Sequence, residues 1–327
     1  MVMNKHRIYV AISILVFLLF AVAILYSHYF GPVDSNAAQV QFIVQPNATR
    51  DDVANTLKKE GFIRSRFLFN LVFNAASHGS NPLPGGYELS ANMDLWSIAA
   101  ELARPPYLVF FSFPPGWRKE QIADKLAATF GWTPAQVAEW INVDTAPSPS
   151  FVEGVYYPDT YLIPSDQTPA QVAERFRDRF QEVFAPDADI AQQEGIPWTE
   201  VVILASLLER EAAGAQDMPL IAGIMLNRLH NHMPLQIDAT LQYIEGKEGD
   251  WWPVPTIADK SVPSPFNTYL HAGLPPHAIA EPGLGAIHAV LYPEKTNCLY
   301  YLHDPSGQIH CSATYAGQIA NINKYLK

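Results

Sequence analysis

The sequence predicts an α+β protein with an N-terminal transmembrane helix, a small βααβ module and a mixed α/β domain built on a central buried helix. Three observations carry that expectation. An apolar run lies near the N-terminus, short strand and helix patterns alternate as far as Arg104, and residues 199–213 are apolar nearly all round a helical wheel. With 327 residues the chain has room for an anchor and two or more domains. Its net charge of -11 argues against a nucleic-acid partner, which selects basic residues clustered on one face.

Residues 8–29 form the apolar run, and roughly 20 such residues span a bilayer as a helix. Lys5, His6 and Arg7 precede it, and the next basic residue apart from His28 is Arg50, so the N-terminus is expected to stay cytoplasmic and the rest to be exported. A cleaved signal peptide is the competing reading, with a small-x-small site at Ser35-Asn36-Ala37. The apolar core of a signal peptide is usually only about 7 to 15 residues, which favours a retained anchor.

Residues 40–44 alternate as a strand, and Thr49 to Asp52 offers a capping box for a helix running to about Glu60. A second helix is expected over residues 65–76, a strand over 87–89 and a third helix over 94–102. That order resembles a LysM-type module. Beyond Arg104, a β-rich run at 107–113 closes on Pro114-Pro115-Gly116, and helices follow at about 118–129, 134–141 and 169–184, with a breaker at 146–150. The expected division is residues 1–30 as cytoplasmic tip and anchor, 31–104 as the LysM-like module, and 105–327 as the main domain. Within the latter, 105–165 is a β-rich connecting part and 166–327 the core.

The helix at 199–213 is expected to start at a Thr199 cap and stop at Gly214. At 3.6 residues per turn Glu209 falls among Val202, Ala205, Ser206, Ala212 and Ala213, a strip of small residues. A carboxyl in a partly apolar cleft has a raised pKa, as a general acid working near neutral pH needs. On the wheel alone a glutamate paired with an arginine for stability is the favoured reading, because ion pairs also occupy such places. Glu200 and Glu211, on the other face, read as structural.

Here the chain resembles the endolytic murein transglycosylases, the MltG or YceG-like family, over about residues 40–326. The resemblance rests on EGVYYPDTY at 153–161 and LASLLEREA at 204–212. It continues in order through NRL at 227–229, LQIDAT at 235–240, SPFNTY at 264–269 and GLPP at 273–276. It implies that Glu209 is the catalytic residue and that Gln236, Asp238, Asn267 and Thr268 border the cleft and bind substrate, with a turn or cap role as the alternative for each of the four. Asp238 and Asn267 are accordingly expected to serve turnover more than stability. The chain departs from the family pattern at Phe266, His277, Glu281, Cys311 and Ala316-Gly317-Gln318-Ile319.

The resemblance further implies a membrane-anchored, extracytoplasmic lyase of the bacterial inner membrane. It would cut the bond between N-acetylmuramic acid and N-acetylglucosamine within peptidoglycan strands, leave a 1,6-anhydro end, and trim or terminate nascent strands. Peptidoglycan and peptidoglycan synthases are the implied partners. A two-carboxylate muramidase using Asp238, and a non-catalytic wall-binding adaptor, are the alternatives.

No cofactor or metal is expected, because His230 and His232 lack a convincing third ligand. The two cysteines, Cys298 and Cys311, flank a hairpin. If Asp304 pairs with Gly307, Cys311 falls opposite Tyr300 and diagonal to Cys298, a register that predicts free thiols.

Overall fold

The computed structural model describes residues 5–146, 153–193 and 195–327, so most of the expected break at 146–150 lies outside the described residues. The protein is mixed α/β and divides into two compact units. One comprises Met1–Phe111 with Tyr161–Asp166, the other Ser112–Thr160 with Gln167–Lys327.

The first unit opens on α1 (Lys5–Phe30). Its stretch Arg7–Phe30 has 24 residues and a mean hydropathy of 3.0, long and apolar enough to cross a membrane. At 1.5 Å per residue that is about 36 Å, against a hydrocarbon core of about 30 Å. After it come β1 (Val40–Val44), α2 (Arg50–Lys59), α3 (Arg66–Ala76), β2 (Gly85–Leu89), α4 (Leu95–Leu102), β3 (Leu108–Ser112) and, later in the chain, β4 (Thr160–Pro164). The strands form one sheet in the order β1-β2-β3-β4, with β1 antiparallel to β2 from Val40↔Leu89 to Val44↔Gly85.

Local chemistry explains the helix starts. Thr49 and Asp52 satisfy each other's backbone N–H groups in a complete capping box, and the Ser65 and Asp94 side chains cap α3 and α4. Phe42 and Val44 point inward from β1 and pack with Leu57, Phe69, Phe73 and Tyr87.

The second unit holds α5 (Lys119–Phe130), α6 (Pro134–Glu139), α7 (Pro169–Gln193), α8 (Trp198–Glu211), α9 (Met218–His230), α10 (Asp238–Glu245), α11 (Leu284–Leu291), the hairpin β5 (Tyr300–His303) and β6 (Ile309–Ser312), and α12 (Tyr315–Tyr325). Helix α8 is buried from Val201 to Leu208 and packs against α7, α9, α10 and α11. It begins at Trp198 after Pro197 rather than at a Thr199 cap, and it ends at Glu211 because Ala212 turns extended. Helix α7 runs beyond the expected end at Phe184 and carries Pro186 inside it. Asp187 and Ala191 continue its buried face past Phe176, Phe180 and Phe184, so packing outweighs the lost donor of proline.

The hairpin differs from its expected register by one residue. Asp304 N–H donates to Gln308 O, and Tyr301, not Tyr300, stands opposite Cys311. Leu299 N–H donates to Ser312 O, which brings the preceding chain close to β6. The slip alone would set Cys311 one residue farther from Cys298, but the chain before β5 stays beside β6, and Cys298 and Cys311 form a disulfide with Cα atoms 5.9 Å apart, not free thiols. A structural disulfide belongs to an oxidising compartment.

Candidate active site

Helix α8 ends in three consecutive charged residues that project about 100° apart and meet different surroundings. Glu209 is half-buried, and its Oε2 accepts the Gly283 N–H at 3.1 Å. Arg210 places its guanidinium 4.0 Å over the Trp252 ring. Glu211 accepts the Tyr301 hydroxyl at 2.7 Å, a structural role that matches its expected place away from the acid.

Burial raises the Glu209 pKa, opposed by the Gly283 N–H and by the Arg210 charge. These are the influences a general acid requires: a largely apolar setting that favours the neutral carboxyl, and a donor that steadies the carboxylate once the proton has left. Asp238 acts on Glu211 instead, and its Oδ1 accepts the Tyr269 hydroxyl.

Two loops wall the acid. The segment 278–283 runs beside α8, fixed by Ile279 N–H donating to Ser206 Oγ at 3.1 Å and by the Gly283 contact. A side chain at Gly283 would stand 3.0 Å from Pro115 and 3.5 Å from the Glu209 carboxylate, so glycine permits the approach. Gly116, at φ +82, occupies a left-handed turn that L side chains rarely adopt, and it borders both Glu209 and Arg210. Gly116 N–H donates to Glu281 O at 2.8 Å and Glu281 N–H to Trp117 O at 2.7 Å, joining the two loops.

Behind them lies the segment 153–156. The Glu281 side chain, with no exposed surface, accepts the N–H groups of Gly154 and Tyr156 at 3.1 and 2.8 Å. Glu153, also buried, accepts the Lys119 N–H at 2.9 Å and the Tyr243 hydroxyl at 2.7 Å. Burial and the Glu120 charge push Glu153 up to about 7, and burial with Glu153 raises Glu281 well above the ordinary value.

The structure brings Gln236, Asp238, Asn267 and Thr268 into one patch. Gln236, exposed and at φ +55, donates its N–H to Thr268 O, and Thr268 Oγ1 accepts the Ile237 N–H at 2.9 Å. Thr268 is buried, while Asp238 is exposed. Asn267 differs from its expected cleft-facing role, because it is fully buried and spends its amide on the backbone. Nδ2 donates to Val262 O at 2.9 Å and Lys260 O at 3.2 Å, and Oδ1 accepts the Tyr269 N–H at 2.9 Å. Asn267→Ala is therefore expected to lower the free energy of unfolding by about 2 kcal/mol or more, since buried partners are left unsatisfied. Denaturant melts of the variant and wild type would check it, and an unchanged midpoint would contradict it.

Sequence reasoning did not single out Gly116, Gly283, Arg210 or Trp252. The turn string at 114–116 was visible, but its meeting with residues 281–283 at Glu209 depends on long-range packing.

Fold and site together define a mixed α/β protein with, among the described residues, one helix long and apolar enough to cross a membrane, and a half-buried carboxyl suited to acid–base work. The chain belongs to the YceG-like family, whose model matches residues 42–324. It is similar to proteins named endolytic murein transglycosylase from Streptococcus pneumoniae, at 25% identity over 88% of this chain, and Bacillus subtilis, at 27% over 90%. It spans 60% of the pneumococcal relative and 87% of the Bacillus one. A crystal structure of a YceG-like protein from Listeria monocytogenes matches with a TM-score of 0.57 and 25% identity, covering 87% of this chain and 99% of that one.

Proposed function

We propose that this chain is a membrane-anchored lytic transglycosylase that cuts peptidoglycan strands internally at the bond from N-acetylmuramic acid to N-acetylglucosamine, with Glu209 as acid and then base. The observation that carries the reading is the setting of Glu209, a half-buried carboxyl held by the Gly283 N–H at 3.1 Å. The names of the pneumococcal and Bacillus relatives support the substrate.

Protonated Glu209 donates to the bridging oxygen as the sugar becomes oxocarbenium-like. The carboxylate, steadied by Gly283 N–H, then takes the proton of the muramoyl C6 hydroxyl, which closes onto C1. Water is not consumed, so one carboxyl suffices. The commitment of Asp238 to Tyr269 weighs against its use as a partner carboxylate for Glu209.

In this reading α1 is a retained anchor with its basic end in the cytoplasm and the remainder outside, as the Cys298–Cys311 disulfide favours. Residues 31–104 are a LysM-like glycan-holding module, supported by the succession β1, α2, α3, β2, α4. Residues 105–327 are the catalytic domain. Gln236 and Asp238 offer sugar-binding groups at its surface, Asn267 and Thr268 hold their loop, and nascent-strand trimming beside peptidoglycan synthases is the role.

The test is mass spectrometry of isolated glycan strands incubated with the full chain in detergent. Products ending in 1,6-anhydro sugar are expected. Reducing ends would replace the reading with hydrolysis, and intact strands with a wall-binding adaptor.

A further inference from the structure

Next to the acid stands a cation without a direct ion pair. Arg210 is half-buried, its Nε is buried without a hydrogen-bond partner, and no carboxylate lies within ion-pair distance of it among the described residues. Arg50 shares the unpartnered Nε, but its terminal nitrogens donate to Asn74 Oδ1 and to the carbonyls of Gly79 and Ser80. Arg118 pairs with Glu120 and reaches Tyr243 O, while Arg228 donates to the carbonyls of Leu299 and Leu235. Leaving a cation desolvated and unpaired is unfavourable, and such a group persists where a ligand completes it.

The mount of Arg210 favours an incoming anion. Trp252 is a fixed platform, because its Nε1 donates to Gln121 Oε1 at 2.7 Å while Gln242 Nε2 donates to Pro253 O at 3.1 Å. Stacking on that ring occupies a face of the guanidinium and leaves its in-plane donors uncommitted to protein, the geometry that takes a carboxylate by two parallel hydrogen bonds. Gly116 puts no side chain between the cation and the acid. A Cβ there would lie 3.6 Å from Glu209 Cγ and 3.7 Å from an Arg210 terminal nitrogen.

We propose that Arg210 is a specificity-determining residue that receives a carboxylate carried on the lactyl arm of the sugar whose bond Glu209 breaks. The proposal rests on the transglycosylase reading above. Two sources share this chemistry: the lactyl carboxylate itself in peptide-free strands, and a carboxylate of the stem peptide in substituted strands. Binding also acts on the acid. The Arg210 charge opposes protonation of Glu209, and a bound anion cancels that pull, so the proton is held best when substrate is in place.

The test uses the full chain in detergent with three strand preparations: peptide-free, peptide-bearing with free carboxylates, and peptide-bearing with every carboxylate blocked as a methylamide. Wild type is expected to favour one carboxylate strand over the blocked one by roughly ten- to a hundredfold, expressed in KM, the scale of charge-assisted hydrogen bonds. The favoured strand names the source. Arg210→Gln should lose that preference, its KM for carboxylate strands rising to that for blocked strands whatever change in kcat all three strands share, and Arg210→Lys should keep part of it. An equal loss on all three strands would reduce Arg210 to a support for Trp252, and a wild type indifferent to blocking would overturn the proposal outright.

Binding of the same strands to Glu209→Gln, with and without Arg210→Gln, separates this proposal from the reaction it rests on. If wild type cleaves nothing but Glu209→Gln still prefers a carboxylate strand through Arg210, the reaction reading falls and the carboxylate site stands. If no strand is preferred in binding, the site falls whatever the cleavage.

Discussion

Glu209→Gln is expected to remove nearly all strand cleavage while leaving the fold and glycan binding in place. Glutamine keeps the length and one oxygen able to accept the Gly283 N–H, so the loop contact survives. It can neither donate the proton that releases the leaving sugar nor accept one afterwards, and general acid–base catalysis contributes typically about 10²- to 10⁴-fold. Glu209→Asp retains the acid but retracts it by a methylene, and a shift of about 1 Å can cost on the order of a hundredfold. Activity should therefore rank glutamate far above aspartate, with glutamine lowest.

The pH dependence has a definite sign. Burial raises the Glu209 pKa, so the competent protonated form extends above the ordinary carboxylate range and is lost as pH rises through the elevated value. Cleavage assays over pH with melting curves of each variant would check both points. Anhydro-ended products from Glu209→Gln at the wild-type rate would remove Glu209 from the mechanism.

Glu281→Ala should be the most damaging change away from the acid. It strands the buried N–H groups of Gly154 and Tyr156, each worth about 1 to 3 kcal/mol when left unsatisfied, so a loss of roughly 3 kcal/mol or more is expected. Activity should fall with it, because the segment 278–283 that reaches Glu209 through the Gly283 N–H loses its side-chain tie to residues 154–156.

Glu281 and Glu153 also make stability depend on pH. Both are raised above the ordinary glutamate range, Glu153 to about 7, so the folded state holds protons more tightly than the unfolded one. Their contribution is complete below about 4.5 and is lost as pH rises through about 7 and beyond. Denaturant melts from pH 4 to 9 should show this decline in the wild type and a flatter profile in Glu281→Gln. A profile unchanged by that substitution would show that the pair does not hold the extra proton.

The first unit was largely legible in the sequence because its signals are local. Thr49, Ser65 and Asp94 stand where cap chemistry needs them, and the alternation at 40–44 reports its own buried face. Glu209 was placed on the right helix by periodicity, but its wheel position alone favoured an ion pair over catalysis. The hairpin register escaped because a three-residue turn at 305–307 replaces the two-residue turn that Asp304 suggests, and one residue of slip exchanges every cross-strand neighbour. Asn267 was read as a loop polar group, whereas its partners at Val262 and Lys260 depend on a chain path that composition does not disclose.

The bond between Glu209 and Gly283 closes a loop of 74 residues, and that between Gly154 and Glu281 one of 127. Closing spans of this size costs chain entropy before any contact offsets it, so these connections belong to the late, non-local part of folding. Synthesis runs from the N-terminus, and the acid is therefore made well before the N–H that holds it. A chain interrupted before residue 281 carries Glu209 without the latch that joins its walls. The order of manufacture thus leaves the Glu209 carboxyl without its partner N–H until residue 283 has been made.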